Sequence, residues 1–265
     1  MQSGFSCTPV LQQKLHPQAR AQTGMPNSDR KRKNTMSDLA NQFFKAFIKN
    51  NRWQLYVKGL GNTIEVTLLA AILGLLLGTL ACLLNMQRTK NGKRTLLSRI
   101  AYVYIDVIRG TPTMIQLLIM WNVIMATSKN KILVATMAFG INSGAYVAEI
   151  IRGGIQSVDG GQMEAGRSLG LSKLQTMMAV VLPQAFKNCF PSLLNEFITL
   201  LKETSIAGAV GLSELTHASD QVSSATYEYM MPLLGAAVMY FVVVKILSFF
   251  FGMLEKKLRE SDIRS

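Results

Sequence analysis

The chain has 265 residues, 49% of them apolar and only 16% charged, with a mean hydropathy of +0.24. That balance argues against an ordinary soluble domain and points to an integral membrane protein, because a helix crossing about 30 Å of hydrocarbon needs roughly 20 mostly apolar residues. A net charge of +13 would suit nucleic acid only if it covered one face. The basic residues instead flank apolar runs, which fits anionic headgroups and no nucleic acid partner.

Residues 1–35 are rich in Gln, Pro and Ser, carry Arg30, Lys31, Arg32 and Lys33, and lack the apolar core of a signal peptide. They read as a disordered tail or a non-native extension, with regular sequence beginning at Met36. Over 36–58, Leu39, Phe43, Phe44, Phe47 and Ile48 recur at helical spacing, followed by Trp53 and Tyr56. This predicts an amphipathic interfacial helix with its aromatics at headgroup level, or a helix packed on the bundle.

Five spans follow, at about 63–84, 100–124, 132–151, 184–201 and 232–254. The first is the most apolar, and Gly74 and Gly78 stand four residues apart, a spacing that lets helix backbones approach. The second carries Asp106, Arg109, Pro112 and Gln116 and must face protein or a cavity. The third holds Asn142, Ser143 and Glu149. The fourth, with Asn188, Asn195 and Glu196, reads as broken by Pro191, and the fifth holds one charge, Lys245.

Each charge inside a bilayer costs about 2.5 to 3.5 kcal/mol on insertion scales, so each needs a reason. Asp106 and Arg109, three apart, can neutralise each other, and Glu149 with Arg152 repeats that spacing as a structural or gating pair, or Glu149 meets a substrate. A zwitterionic amino acid needs acceptors for its ammonium and donors for its carboxylate. Gln116, Asn142, Ser143, Asn195 and Glu196 form a sufficient set, with Glu149 as a further pathway residue, or these polar groups bond between helices with no ligand. Met114, Met120, Met137 and Met239 read as packing residues. Cys7, Cys82 and Cys189 offer neither a disulfide framework nor metal-ligand spacing, and His16 and His217 read as solvated, so no metal site is expected.

Lys and Arg counts orient the chain. Arg88, Lys90, Lys93, Arg94 and Arg99 after span one, Arg167 and Lys173 after span three, and Lys256, Lys257, Arg259 and Arg264 at the end share one side. The opposite loops hold only Lys129 and Lys131, beside Glu203, Glu214, Asp220 and Glu228. The basic side is therefore expected to be cytoplasmic, with the N-terminus external and the C-terminus, including the 259–265 tail, cytoplasmic. Lys45, Lys49, Arg52 and Lys58 oppose this vote, and the basic residues of the first 35 add to them.

On this topology the segment 159–183 is a cytoplasmic insert. Asp159, Gly160 and Gly161 turn the chain into a short helix carrying Glu164, Ala165, Arg167 and Leu169. Gly170 can end it in the left-handed conformation. Ser172 with Gln175 is a capping-box pattern for a second helix, whose stripe of Leu171, Leu174, Met178 and Val181 is expected to pack on the bundle.

The stretch "EAGRSLGLSKLQTMMAVVLP", Glu164 to Pro183, resembles the cytoplasmic signature of ATP-binding-cassette importer permeases. Glu164, Ala165, Gly170, Leu182 and Pro183 match it. Gly166 replaces the second Ala of that signature, and is expected to loosen the first helix. "RGTPTMIQLL" at Arg109, "AYVAEIIRGGI" at Ala145 and "LPQAFKNCFPSLLNEFITLLKETS" at Leu182 resemble the polar amino acid branch, with Glu203 where that branch more often has Asp.

The resemblance implies an all-α, five-transmembrane-helix bundle of the type I ABC importer permease (MetI-like) fold over 59–258. Glu164, Ala165, Gly166, Arg167, Ser168, Leu169 and Gly170 would couple it to a separate ATPase. It further implies an external solute-binding protein, a second permease copy or paralogue, an amino acid substrate, and no cofactor on this chain, with ATP and magnesium held by the partner ATPase. The chain carries no Gly-x-x-x-x-Gly-Lys-Ser/Thr: "NGKRT" at Asn91 lacks the upstream glycine and the following hydroxyl. It is expected not to be an enzyme. The alternative is a self-sufficient secondary transporter or channel using the intramembrane charges, against which stand the unexplained insert and the lack of an evident inverted repeat.

Overall fold

The computed structural model describes residues 38–87 and 92–263, with side chains as far as Leu258. The expectations for residues 1–35, for Arg88 and Lys90, and for Arg264 lie outside the described residues.

Residues 38–43 are helical and run into a wide π turn at Phe44–Ile48. Asn50 and Asn51, both at positive φ, redirect the chain into α1, Trp53–Met86. The interfacial segment therefore ends before Trp53, and Trp53 to Lys58 belong to the first long helix. At 1.5 Å per residue the 34 residues of α1 reach about 51 Å, more than one hydrocarbon layer.

The element α2, Leu96–Arg109, starts where Thr95 accepts from the Ser98 N–H (3.1 Å), while the Ser98 hydroxyl donates to the Asn85 carbonyl (2.8 Å). One serine thus ties the start of α2 to the end of α1. Pro112 holds its predecessor out of the helical region, so the expected second span is two pieces. The second piece, α3, is Thr113–Ile119 with a π turn at Met120–Ile124, bent by 109° from α2. The Gln116 amide nitrogen closes the inside of this bend on Ile108 O (2.8 Å), Thr111 O (3.2 Å) and Thr111 Oγ1 (2.7 Å).

The most enclosed element is α4, Lys131–Gln156, with Asn130 capping its first turn. It lies along α1 on a seam of small residues. A Cβ at Gly78 would stand 2.6 Å from Val147 Cβ and 2.7 Å from the Gly144 carbonyl, and one at Gly140 would stand 2.6 Å from Leu73 Cδ2. The glycine spacing read from α1 is thus half of a two-sided seam.

Next comes α5, Gly160–Ser168, then α6, Lys173–Thr176, which passes through a π turn at Met177–Val181 into α7, Leu182–Glu203. Contrary to expectation, Pro191 does not break α7, which runs 22 residues through it. A proline deletes one N–H and crowds one carbonyl, and here the helix continues through both losses. A 3-10 stretch, Thr204–Val210, dips into the core formed by Val66, Leu117, Val134 and Phe139. The last two helices are α8, Leu215–Thr226, and α9, Met230–Ile263.

By length and composition α1, α4 and α9 can each cross a membrane, and α2 with α3 makes a fourth crossing if the bent pair counts as one. The length of α7 suffices, but Lys187, Asn188, Asn195 and Glu196 make it polar.

Candidate functional site

Two successive residues of α4 organise the polar centre. Asn142 and Ser143 are 1% and 2% exposed, and consecutive helical residues point about 100° apart, so each meets a different element. Asn142 Nδ2 donates to Gln116 Oε1 of α3 (2.9 Å), and Ser143 Oγ donates to Glu196 Oε1 of α7 (2.8 Å). Four of the six residues expected to contact substrate therefore form two hydrogen-bonded pairs, on two faces of one turn of α4. Asn195 does not join them: it is exposed, one residue round α7 from Glu196.

Placing these groups so deep depends on the glycine seam. A Cβ at Gly74 would meet Ser143 Cβ at 3.1 Å, and one at Gly144 would meet the Tyr104 hydroxyl at 2.8 Å. That hydroxyl donates to the Ile141 carbonyl (2.7 Å), locking α2 to α4 beside Asn142. Chemically, the cluster offers one carboxylate, one hydroxyl and two side-chain amides, a mixture that can hold both ends of a zwitterion.

Glu149 lies seven residues further, about 10 Å along α4 and on nearly the same face. It accepts from Arg152 at two positions, one at 2.9 Å from Nε, and stands 3.9 Å from Arg109 Nη1. The pair Glu149–Arg152 forms as expected. Arg109 does not neutralise Asp106: it turns to Glu149 and to the ring of Tyr146, 5.5 Å from its centroid. The bend after Arg109 swings that side chain toward α4, which a straight-helix reading misses. These charges line a cavity of about 880 Å³ at the α5 end of α4, with Arg94 and Tyr102 on its wall.

At the tip, Asp159 caps α5 through Gly161 N–H (2.9 Å), Gly170 takes φ +87°, and both halves of the Ser172–Gln175 capping box are made. Glu164, Ala165, Arg167, Ser168, Leu169 and Gly170 are exposed, whereas Gly166 is buried. A Cβ there would stand 2.4 Å from Thr176 Cγ2. The expected loosening is thus not what this glycine does: it lets α5 rest on α6.

The apolar stripe expected to pack inward is also revised. Leu174 and Met178 are 71% and 62% exposed, and Thr176 and Val181 are the buried residues. The π turn at Met177–Val181 adds a residue to the turn and rotates the following face, so a 3.6-residue period does not carry across it.

Sequence reasoning counted Glu214 only as a loop charge, yet it is fully buried. Its carboxylate caps α8 through the Thr216 and His217 N–H groups (2.7 and 2.6 Å) and accepts from the Tyr240 hydroxyl of α9 (3.1 Å). Next to it, Leu215 N–H donates to Thr63 Oγ1 (3.2 Å) and Asn62 Nδ2 to the Ser213 carbonyl (2.7 Å), both on α1. Burial pushes the Glu214 carboxyl up from its ordinary value, against the lowering pull of those hydrogen bonds. The Glu at an N-cap just before "LTHA" was the available signal.

Known proteins share this fold. The crystal structure of an amino acid ABC transporter with histidines superposes at a TM-score of 0.72 and 41% identity, over 77% of this chain and 94% of that one. An inward-facing MetNI methionine ABC transporter superposes at 0.66 and 19% identity, over 79% and 98%, a likeness of fold alone. A putative glutamine transport system permease protein of Rickettsia typhi is 37% identical over 205 residues, 76% of this chain and 92% of the relative. The arginine transport system permease protein ArtQ of Bacillus subtilis is 37% identical over 209 residues, 78% and 93%. The L-cystine permease protein TcyB of the same organism is 32% identical over 214 residues, 80% and 89%. The pattern described as "Binding-protein-dependent transport system inner membrane component" matches residues 70–260, and the chain belongs to that family of multi-pass inner-membrane permeases.

Proposed function

We propose that this chain is the permease subunit of an ATP-driven importer that carries a polar amino acid, handed over by an external solute-binding protein. The observation that carries the reading is the meeting of Gln116, Asn142, Ser143 and Glu196 around one buried turn of α4. Relatives named for glutamine, arginine and cystine transport support the substrate class. Glu196 takes the ammonium, the Asn142 N–H not given to Gln116 donates to the carboxylate, and Gln116 and Ser143 hold Asn142 and Glu196 in place. Asn195 and Glu149 serve the entry and exit of the same pathway.

A separate ATPase, holding ATP and magnesium, engages Glu164 to Gly170. The exposed Leu169, Leu174 and Met178 give it an apolar contact. A second copy or paralogue completes the membrane part. The chain crosses five times, at about 63–84, 100–124, 132–151, 184–201 and 232–254, with the N-terminus external and the α5 tip cytoplasmic. The segment before Trp53, 38–52, anchors it at the external surface.

The test is uptake into proteoliposomes holding the chain with its partner ATPase. Glu164→Lys is expected to abolish ATP-driven uptake while leaving membrane insertion intact, and Glu196→Gln to lower it at least tenfold. Uptake driven by an ion gradient in the chain alone would reject the reading in favour of a secondary transporter.

A further inference from the structure

The cavity at the α5 end of α4 is not used by the cluster around Asn142. Its volume of about 880 Å³ lies in the range of small-molecule sites, and its walls carry both signs of charge. Three guanidiniums are held in place: Arg152 by Glu149 and Gln156 (2.9 and 2.6 Å), Arg109 by Glu149 and Tyr146, and Arg94 over the Tyr102 ring at 4.2 Å. Fixed guanidiniums bind carboxylates with little ordering cost. Glu149 is occupied by its two arginines, whereas Asp106, on the same wall, has no ion-pair partner among the described residues. The cavity lining therefore combines a carboxylate outside these ion pairs with guanidiniums held in place.

We infer that this cavity is a second site for an α-amino acid zwitterion, with Arg94 and Arg109 taking its carboxylate and Asp106 its ammonium. The inference rests on the amino acid importer reading. The face of α4 that carries Asn142 continues two turns on to Tyr146 and Glu149, so one polar ladder joins the first site to the cavity. Contacts made to the α-ammonium and α-carboxylate alone make this site indifferent to the amino acid side chain. It holds the product on its way out, or amino acid already on that side of the membrane.

The experiment is equilibrium dialysis of the full chain in lipid nanodiscs against an equimolar mixture of the twenty proteinogenic L-amino acids, with retained amino acid counted by mass spectrometry. Two per chain are expected, falling to one in Asp106→Asn and to one in Glu196→Gln, and to none in the double variant. Arg94→Ala is expected to weaken the second site at least tenfold, and thermal melts check that each variant is folded. The 2-oxo acids, which lack the ammonium, are expected to leave the Asp106 site empty. One amino acid per chain, lost in Glu196→Gln and kept in Asp106→Asn, overturns the second site while the importer reading stands. One per chain, lost in Asp106→Asn and kept in Glu196→Gln, upholds the cavity and overturns the role given to Glu196. None retained, or two retained in Asp106→Asn, overturns the inference.

Discussion

Single residues carry more of this molecule's geometry than its apolar runs suggest. Gly78→Ala is expected to destabilise the chain by about 1 to 3 kcal/mol, because the new methyl meets Val147 and the Gly144 backbone well inside contact distance. Gly74→Ala should cost less, its nearest neighbours being 3.1 Å away on Ser143. Thermal melts of the two variants in detergent give the ranking. The glycine spacing was legible because it belongs to one helix, whereas Gly140, Ser143 and Gly144 could be assigned to the seam only once α4 was known to lie on α1. The burial of Glu214 was hidden for a similar reason, since its cap of α8 is local but Tyr240 comes from α9. A carboxyl whose folded pKa is raised contributes its stability in full below the unfolded pKa and loses it as pH rises through the folded one. Melts at rising pH above the ordinary glutamate value should show Glu214 costing the wild type stability, and Glu214→Gln should flatten that part of the slope.

Elements depart from the sequence reading where the helix is not a uniform 3.6-residue screw. Pro112 with Gly110 turned one expected span into a 109° corner, and the stripe expected over 171–181 is interrupted at the π turn after Thr176, with Leu174 and Met178 outward and Val181 inward. Caps, by contrast, were readable at Gly170 and the Ser172–Gln175 box, which act within a few residues, whereas Asp159, read as part of a turn with Gly160 and Gly161, caps a helix that begins at Gly160. Among the charges, the Glu149–Arg152 pair was readable from its local spacing, while the reach of Arg109 across the corner to α4 was not. The seat of α5 on α6 yields a paired test. Gly166→Ala drives a methyl into Thr176 and is expected to cut ATP-driven uptake severalfold, and Thr176→Ala, which removes the clashing atoms, should restore it in the double variant. Equal loss in the single and double variants would mean that the tip depends on the glycine for another reason.

For the whole chain, sidedness rests on a charge count that the N-terminal cations oppose, so it calls for a direct measurement. In a cysteine-free background, Tyr229→Cys, on the α8–α9 connection and 67% exposed, is expected to react with a membrane-impermeant maleimide in spheroplasts. Leu169→Cys, 83% exposed at the tip, should react only after permeabilisation. The reverse pattern would invert the topology. The seam between α1 and α4 also predicts how the gene can drift. The apolar stretch of α4 is 67% buried within the chain and that of α9 only 6%. Saturation mutagenesis scored by growth on the transported nutrient should find α9 accepting most apolar side chains outside Gly235, Ala236 and Tyr240, while α4 rejects nearly every enlargement. The record of the molecule's ancestry would then be written in its smallest residues, with α9 free to be rewritten around them.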